Sequence, residues 1–173
     1  PNCLNPEAGY IVTANQDLNH LGKADPINMP MGDYRAKRIE AMLDMSHQHD
    51  VESTKSLQFD VHSSQAKLFL EILMPLLEEN DESSDAFQLL KCWDYSYGFD
   101  SKGAPLFELF YEALRVEVFG SSGIEGNALS ANVVKHLSEQ TGVFIDFYQN
   151  FDVVILNKDS IWYESVTQKQ AFL

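Results

Sequence analysis

The sequence predicts an all-α fold, a helical bundle subdomain that carries an extended N-terminal strand-and-loop arm. Apolar residues recur at helical spacing in about seven segments after Gly32. Only one short segment before Gly32 has the β-branched and aromatic character of a strand. The 173 residues are also 45% hydrophobic, which is enough apolar material for a packed core. We therefore place the arm at residues 1–32 and the helical subdomain at residues 33–173.

The arm begins with turn-forming residues and contains one strand candidate, residues 9–14, where Tyr10, Ile11 and Val12 favour extended backbone. From residue 15 to residue 32 the chain is interrupted by glycine and proline and shows little periodicity. This pattern predicts a long ordered loop. Long loops in compact proteins are often functional, so the arm is the first place to look for a site.

The helical pattern starts after Gly32. Asp33 is an expected N-cap, and Ile39, Met42 and Leu43 form the apolar face of the helix that follows. Asp50 is the expected cap of a second helix, which runs towards residue 61.

A third helix is predicted over residues 65–79, and Pro75 is expected to kink or divide it because proline lacks the backbone donor. The acidic run 78–82 predicts a solvated turn. Asp85 is then expected to open a short helix that reaches Trp93.

The clearest amphipathic segment covers residues 106–118. A glycine-rich loop or hinge is predicted at 120–126, with further helices at 130–139 and 143–156. Residues 153–156 fit either a helix end or a buried strand, so that assignment stays open.

The charge of the chain excludes two classes of partner. The formal net charge is −14, which repels nucleic-acid phosphates and anionic lipid, so we expect neither nucleic acid nor a membrane surface as a partner. No apolar run reaches the length of a membrane span. Cys3 and Cys92 are expected to be unpaired thiols, and none of the five histidines stands in a metal-ligand spacing, so we expect no metal site from these residue types.

No complete catalytic site is visible, but Asn15 attracts interest because it follows the strand candidate directly. A side chain at a rigid strand end can point into a cleft, and an asparagine amide can donate to a developing oxyanion. A preorganised donor of this kind is worth about 3–4 kcal/mol. Taken alone, however, an asparagine after a strand is most simply a turn residue.

Five elements resemble the penicillin amidase (penicillin acylase) family, in the family's order, over about residues 5–118. Residues 5–16 (NPEAGYIVTANQ) resemble its NP-x-x-GYI-x-x-x-N-N segment. Residues 34–39 (YRAKRI) resemble its YRA-x-RI helix start. The other matching elements are its Q-x-D-x-x-S segment at 58–63 with the leucine-rich run after it, its L-x-x-WD element at 90–94, and the helix at 103–114.

The resemblance implies an N-terminal-nucleophile hydrolase, made as a precursor that cleaves itself into α and β subunits. The serine at the start of β is then the nucleophile and its amine the general base. Such enzymes hydrolyse amide bonds of acylated amines, among them penicillins. By this resemblance Asn15 is the oxyanion donor, and Arg35 orients that asparagine and the substrate. The family's usual Asn-Asn pair is Asn15-Gln16 here, which leaves the donor intact.

The same resemblance implies that the chain is an interior fragment of the β subunit of a larger αββα enzyme. Its partners would be the rest of the β subunit, the α subunit and an acylated amine. Pro1 has neither hydroxyl nor thiol, so the fragment by itself is expected to be inactive. The family suggests export to the periplasm or secretion. It also suggests a structural calcium ion, for which Asp25 is a weak candidate ligand.

The alternative is a stand-alone helical module that binds a protein through its acidic face or through Phe107 and Phe110. Burial in the core is the simpler role for these two phenylalanines. In a hydrolase the Asn15 amide should face an open cleft, and in a module it should be used up by turn hydrogen bonds. Apolar loop residues could line an acyl pocket, although ordinary packing is the simpler expectation for them: Ile27, Met29 and Met31.

Overall fold

The computed structural model describes residues 4–23, 25, 31–46, 48–78, 84–117, 150–157 and 159. Those residues form six α-helices and one 3₁₀ turn, Asn19–Leu21. In chain order the helices are α1 (Tyr34–Asp44), α2 (Val51–Gln58), α3 (Ser64–Glu78), α4 (Asp85–Lys91), α5 (Gly103–Val116) and α6 (Asn150–Leu156). The predicted all-α class is confirmed. The glycine-rich loop at 120–126 and the helix at 130–139 lie outside the described residues, as does most of the acidic run 78–82.

The expected strand at residues 9–14 is wrong, because this segment has no regular secondary structure. A strand needs a neighbour along its whole length to satisfy its backbone groups. In the described part of the arm the pairing is a single parallel bridge between Gln16 and Met31. The described part of the arm is therefore an extended loop that this bridge folds back on itself, and the Tyr10 hydroxyl ties it to α1 by donating to the Asp44 carboxylate at 2.8 Å. The proposed division between residues 32 and 33 stays a prediction.

Three helices begin near the expected residues, with different capping chemistry. Asp33 occupies the N-cap of α1 without a capping hydrogen bond, and its carboxylate pairs with Lys37 at 2.7 Å. Asp50 forms a full capping box with Ser53, in which each side chain accepts the other's backbone N–H at 2.8 Å. For α4 the cap is Ser84, one residue before the expected opening residue Asp85.

Helix α3 continues through Pro75 as one element, so the expected division does not occur. The proline lies on the exposed side of the helix, where the backbone carbonyl that it leaves unbonded can reach water. On the other side, Phe69, Leu70 and Leu73 are almost completely buried. Burial of these three side chains stabilises the helix against the loss of one hydrogen bond.

The core lies between α3 and α5, with α4 and α6 packed around them. Phe107 of α5 is fully buried, as expected, and its ring stacks on that of Tyr111 with 6.1 Å between centroids. Ile155 is also fully buried and belongs to α6. Residues 153–156 are therefore helical, which settles the ambiguity between a helix end and a strand.

Two connections between helices pair with each other in antiparallel fashion. The amide of Ser63 donates to the carbonyl of Tyr95 at 2.9 Å, and the amide of Tyr97 donates to that of Val61 at 2.9 Å. The pairing brings the segment after α2 against the segment after α4. It closes one end of the bundle beside the cavity described next.

Candidate functional site

Asn15 lies at a tight turn of the arm with its side chain exposed. Its φ is +66°, a left-handed conformation that asparagine adopts more readily than most residues. The backbone carbonyl accepts a hydrogen bond of 2.8 Å from the amide of Met31. No hydrogen bond of the side-chain amide occurs among the described residues. The Asn15 side chain is thus carried by a backbone that the Met31 hydrogen bond fixes.

Gln16 fastens the turn that carries Asn15. Its side-chain oxygen accepts from the amide of Ala14 at 2.6 Å, and its side-chain nitrogen donates to the carbonyl of Val12 at 3.2 Å. Ala14 is buried, which fixes the same turn from its other side. The glutamine that replaces the family's second asparagine therefore works within the arm, on the backbone that precedes Asn15.

The arm joins α1 through a short stretch that starts at Met31, which is 7% exposed. Tyr34 is the first residue of α1, and Arg35 is the second. Because the Met31 amide is bonded to Asn15, the turn that carries Asn15 is tied to the chain three residues before the helix that carries Arg35. Arg35 is exposed, and no hydrogen bond or ion pair of its guanidinium occurs among the described residues.

Arg35 lines a cavity of about 570 Å³ between α1, the connection at residues 58–65 and the start of α5. Its walls combine the apolar side chains Ile39, Met42 and Leu57 with a set of polar ones. Asn15 does not line this cavity. A second cavity, of about 990 Å³, lies between the arm, α1 and α6, and Gln16 lines it. Of the two candidate residues, Arg35 therefore lines the first cavity and Asn15 lines neither, whereas Tyr34 is common to the walls of both.

Arg38 and Asp60 form a two-pronged ion pair on the wall of the first cavity. The guanidinium donates from Nε at 2.8 Å and from a terminal nitrogen at 2.7 Å to the two carboxylate oxygens. Both side chains are largely shielded, with 31% and 17% of their surface exposed, so this pair is stronger than an ordinary surface pair. The hydrogen bond from Arg38 holds the pKa of Asp60 below its ordinary value. Arg38 is therefore paired with Asp60, whereas Arg35 has no ion-pair partner among the residues that the structure describes.

Tyr97 and Glu108 face the same cavity from the other side, where the Tyr97 hydroxyl donates to the Glu108 carboxylate. Burial of the ring and this carboxylate raise the pKa of Tyr97. The tyrosine is therefore protonated at neutral pH and serves as a hydrogen-bond donor.

A buried polar cluster connects four helices around Asp152, which is 3% exposed. Its carboxylate accepts from Gln65 of α3 at 2.7 Å and from the hydroxyl of Tyr111 of α5. Tyr34 of α1 also lies nearby, and burial together with the negative charge of Asp152 raises the pKa of this tyrosine. Arg115 of α5 adds a nearby positive charge. Burial nevertheless dominates and raises the pKa of the Asp152 carboxyl.

Comparison with models of known families shows to which family the chain belongs. A family model described as penicillin amidase matches residues 1–171, essentially the whole chain. The chain belongs to the penicillin amidase family. Comparisons with curated proteins and with solved structures find no match. Among the described residues, no helix is both long enough and apolar enough to cross a membrane.

Membership in the penicillin amidase family connects the chain to amide hydrolysis. The roles of Asn15 and Arg35 in such a site remain predictions. Asn15 and Arg35 have the positions described above. Asp25 is exposed, and in the described part of the chain no three His, Cys, Asp or Glu side chains are grouped to hold a metal ion. Calcium at Asp25 stays a prediction, and no step below uses a metal. Ile27 and Met29 lie outside the described residues, and Met31 is packed inside.

The Asp152 cluster was missed by the sequence reasoning. One signal for it was present, since Asp152 stands between apolar residues in the segment 151–156. A charged residue on an apolar helix is buried only with partners. Its partners come from sequence positions 37 to 118 residues away, and spacing does not reveal contacts of that kind.

Proposed function

We propose that this chain is part of an amide hydrolase that cleaves acylated amines, penicillins or related N-acyl compounds, and that Asn15 donates to the oxyanion. The observation that carries the proposal is the exposed side-chain amide of Asn15 on its left-handed turn, which makes no hydrogen bond to another described residue. A turn residue without another role would spend this amide on the turn itself. Here Gln16 makes the local hydrogen bonds, which leaves the Asn15 amide available.

The chemistry follows from what an amide carbonyl requires. When a nucleophile adds to the carbonyl carbon, the oxygen gains a negative charge. A neutral N–H donor that already points at this oxygen stabilises the charge without any reorganisation. We assign this donor to Asn15. Arg35, which has no ion-pair partner in the described part of the chain, would orient the donor and the substrate.

The nucleophile and its base are assigned to the N-terminal serine of the β subunit, outside these 173 residues. The fragment alone is therefore proposed to be inactive, with the remainder of the β subunit and the α subunit as its partners. Exposed apolar side chains on the arm support this arrangement: Ile11 is 63% exposed and Leu21 is 56% exposed. Such side chains on one irregular arm fit a surface that another part of the enzyme covers. Export to the periplasm or secretion is proposed on the family relationship alone.

The test uses the intact precursor, with hydrolysis of a phenylacetyl or fatty-acyl chromogenic amide as the assay. Asn15→Leu is expected to self-cleave normally and to lose about a hundredfold or more in kcat, since one oxyanion donor is removed. Asn15→Asp separates the donor from the turn, because aspartate also tolerates a left-handed φ but has no N–H to donate. It should lose a comparable amount.

Asn5→Leu is the matched control. Asn5 is also exposed, also on the arm and also left-handed, with a φ of +51°. The control therefore has the same backbone cost as Asn15→Leu and should keep the turnover of the wild type. Equal turnover for Asn15→Leu and wild type would refute the oxyanion assignment. A precursor that cleaves itself and hydrolyses neither amide would refute the proposed substrate class.

A further inference from the structure

Helix α1 carries Arg35 but contributes little to the core. Ala36 is its one buried residue, whereas three large side chains of α3 are almost completely buried. Two apolar residues of α1, Ile39 and Met42, line the 570 Å³ cavity. Apolar burial therefore fixes the position of α1 less firmly than that of α3, and polar contacts of α1 gain importance.

The ion pair between Arg38 and Asp60 is a directional attachment for this helix. Two parallel hydrogen bonds, 2.8 Å from Nε and 2.7 Å from a terminal nitrogen, align the plane of the guanidinium with that of the carboxylate. A lysine at residue 38 would offer a point charge without this planar fork. The pair therefore opposes both rotation of α1 about its axis and sliding of α1 along the connection at 58–65.

Asp60 stands on a backbone segment that is connected to the core. The carbonyl of the next residue, Val61, accepts a hydrogen bond of 2.9 Å from the amide of Tyr97. The ring of Tyr97 packs against the indole of Trp93 with 5.7 Å between centroids, and both rings lie against the buried core cluster. Arg38 is thus linked through Asp60 to the packed part of the bundle.

We propose that Arg38 and Asp60 are positioning residues of the hydrolase, whose ion pair sets the orientation of α1 and with it the direction of Arg35. Arg35 lies one turn before Arg38 on the same side of α1, and both line the same cavity. A rotation of α1 that breaks the pair therefore also moves Arg35. This inference rests on the proposed function, in which Arg35 orients the oxyanion donor and the substrate. Neither Arg38 nor Asp60 touches the reacting atoms in this scheme.

Arg38→Gln in the full-length enzyme is the first test, because it removes the charged fork and keeps a long polar side chain. It should lower kcat/KM about tenfold or more, since small displacements of a positioning group have effects of this size. Lys37→Gln is the matched control on the same helix. Lys37 pairs with Asp33 at 2.7 Å, but the two side chains are 68% and 52% exposed. Such a pair contributes little, so kcat/KM should not change. Equal losses in the two variants would overturn the proposal.

The division of the loss between kcat and KM separates positioning from general stabilisation. Because Arg35 orients the substrate, KM should rise in Arg38→Gln as it does in Arg35→Ala. A smaller folded fraction would lower kcat alone, and that result would overturn the proposal. With Arg35→Ala already present, Arg38→Gln should cause no further loss in kcat/KM, because the group it positions is gone. Losses that multiply would show that Arg38 acts independently of Arg35.

Asp60→Asn tests the pair from its other side. It should lower kcat/KM by about as much as Arg38→Gln does, and the double variant should lose no more than either single variant, since both changes break the same ion pair. Losses that multiply here would show that the two side chains act separately, against the proposal.

A readout without turnover keeps the inference separate from the proposed function. Hydrogen exchange of the α1 amides should be about tenfold faster in Arg38→Gln and unchanged in Lys37→Gln, because local opening becomes easier when the attachment is lost. If the wild type hydrolyses no amide but the exchange changes as stated, the proposed function fails and the attachment of α1 stands. Unchanged exchange in Arg38→Gln would overturn the attachment whatever the activity.

Discussion

Gly103, the first residue of α5, lies directly against the indole ring of Trp93. A Cβ atom added there would be 2.2 Å from Trp93 Cγ and 2.4 Å from Trp93 Cδ2. The indole cannot move away easily, since its ring packs at 6.1 Å from that of Phe107 and its N–H is bonded to the Ser96 carbonyl. The absence of a side chain at residue 103 therefore decides how closely α5 approaches the end of α4.

We expect Gly103→Ala to lower the free energy of unfolding by about 2–3 kcal/mol, the cost of overpacking a rigid contact. Gly98→Ala is the control. Its added Cβ would be 3.6 Å from Ser96 Oγ, an ordinary contact, and the change should be within about 0.5 kcal/mol. Urea unfolding of both variants measures the difference. Equal midpoints for the two would show that the Trp93 contact is not tight.

The conformation of Asn15 was predictable from the sequence, but the hydrogen bonding of its side chain was not. The sequence indicated a turn, and the residue does lie in one, with the left-handed φ that asparagine tolerates. The sequence left open whether the side chain serves the turn or something else. Only the structure shows that the Gln16 side chain, and not that of Asn15, folds back and hydrogen bonds to the backbone of the preceding residues.

Among the secondary-structure elements, the starts of the helices are the feature that the sequence predicted best. Asp50 is the expected cap of α2, and α4 begins at the expected Asp85 with Ser84 as its cap; each cap accepts a hydrogen bond from the backbone amide three residues ahead. Capping is local, so a short stretch of sequence contains what is needed to recognise it. The strand at 9–14 failed for the opposite reason, since a strand is completed by a partner that may be far away in the chain.

Ser84→Ala should lower the free energy of unfolding by about 1 kcal/mol, because the Phe87 amide then loses its acceptor. The effect reaches the core, since Phe87 and Leu90 of the same short helix are buried. Ser56→Ala is the control. That serine is exposed within α2 and bonds only to a carbonyl of its own helix, so its removal should be neutral or slightly stabilising. Thermal or urea unfolding compares the two, and equal losses would contradict the capping role.

At the scale of the whole molecule, hydrogen bonds of the Asp152 carboxyl link α6 to α3 and α5. Burial raises its pKa, so the folded chain binds this proton more tightly than the unfolded chain, where the value is near 3.8. Its contribution to stability is therefore complete below pH 3.8 and is lost as the pH rises through the folded pKa. The stability contribution of Asp60 depends on pH in the opposite direction. The hydrogen bond from Arg38 lowers the pKa of Asp60, so this contribution is lost as the pH falls.

We expect the stability difference between wild type and Asp152→Asn to show this dependence. The wild type should lose free energy of unfolding relative to the variant between pH 3.8 and neutral pH. Comparing the two proteins removes the contributions of Asp60 and the other carboxylates, which both proteins share. Urea unfolding at a series of pH values measures the difference, and a difference that is constant or grows with pH would contradict the assignment.

The sequence by itself determined the all-α class, the helix starts near residues 33, 50 and 85, the burial of Phe107 and the family. These follow from periodicity, capping and short motifs, which are local in the chain. Tertiary structure alone decided that the described part of the arm is a loop with one bridge, that Arg35 lines a cavity which Asn15 does not line, and that side chains of four helices meet at Asp152. Each of these depends on contacts between residues distant in sequence. Such contacts form only when the helices pack, because a buried polar group must then find a hydrogen-bond partner.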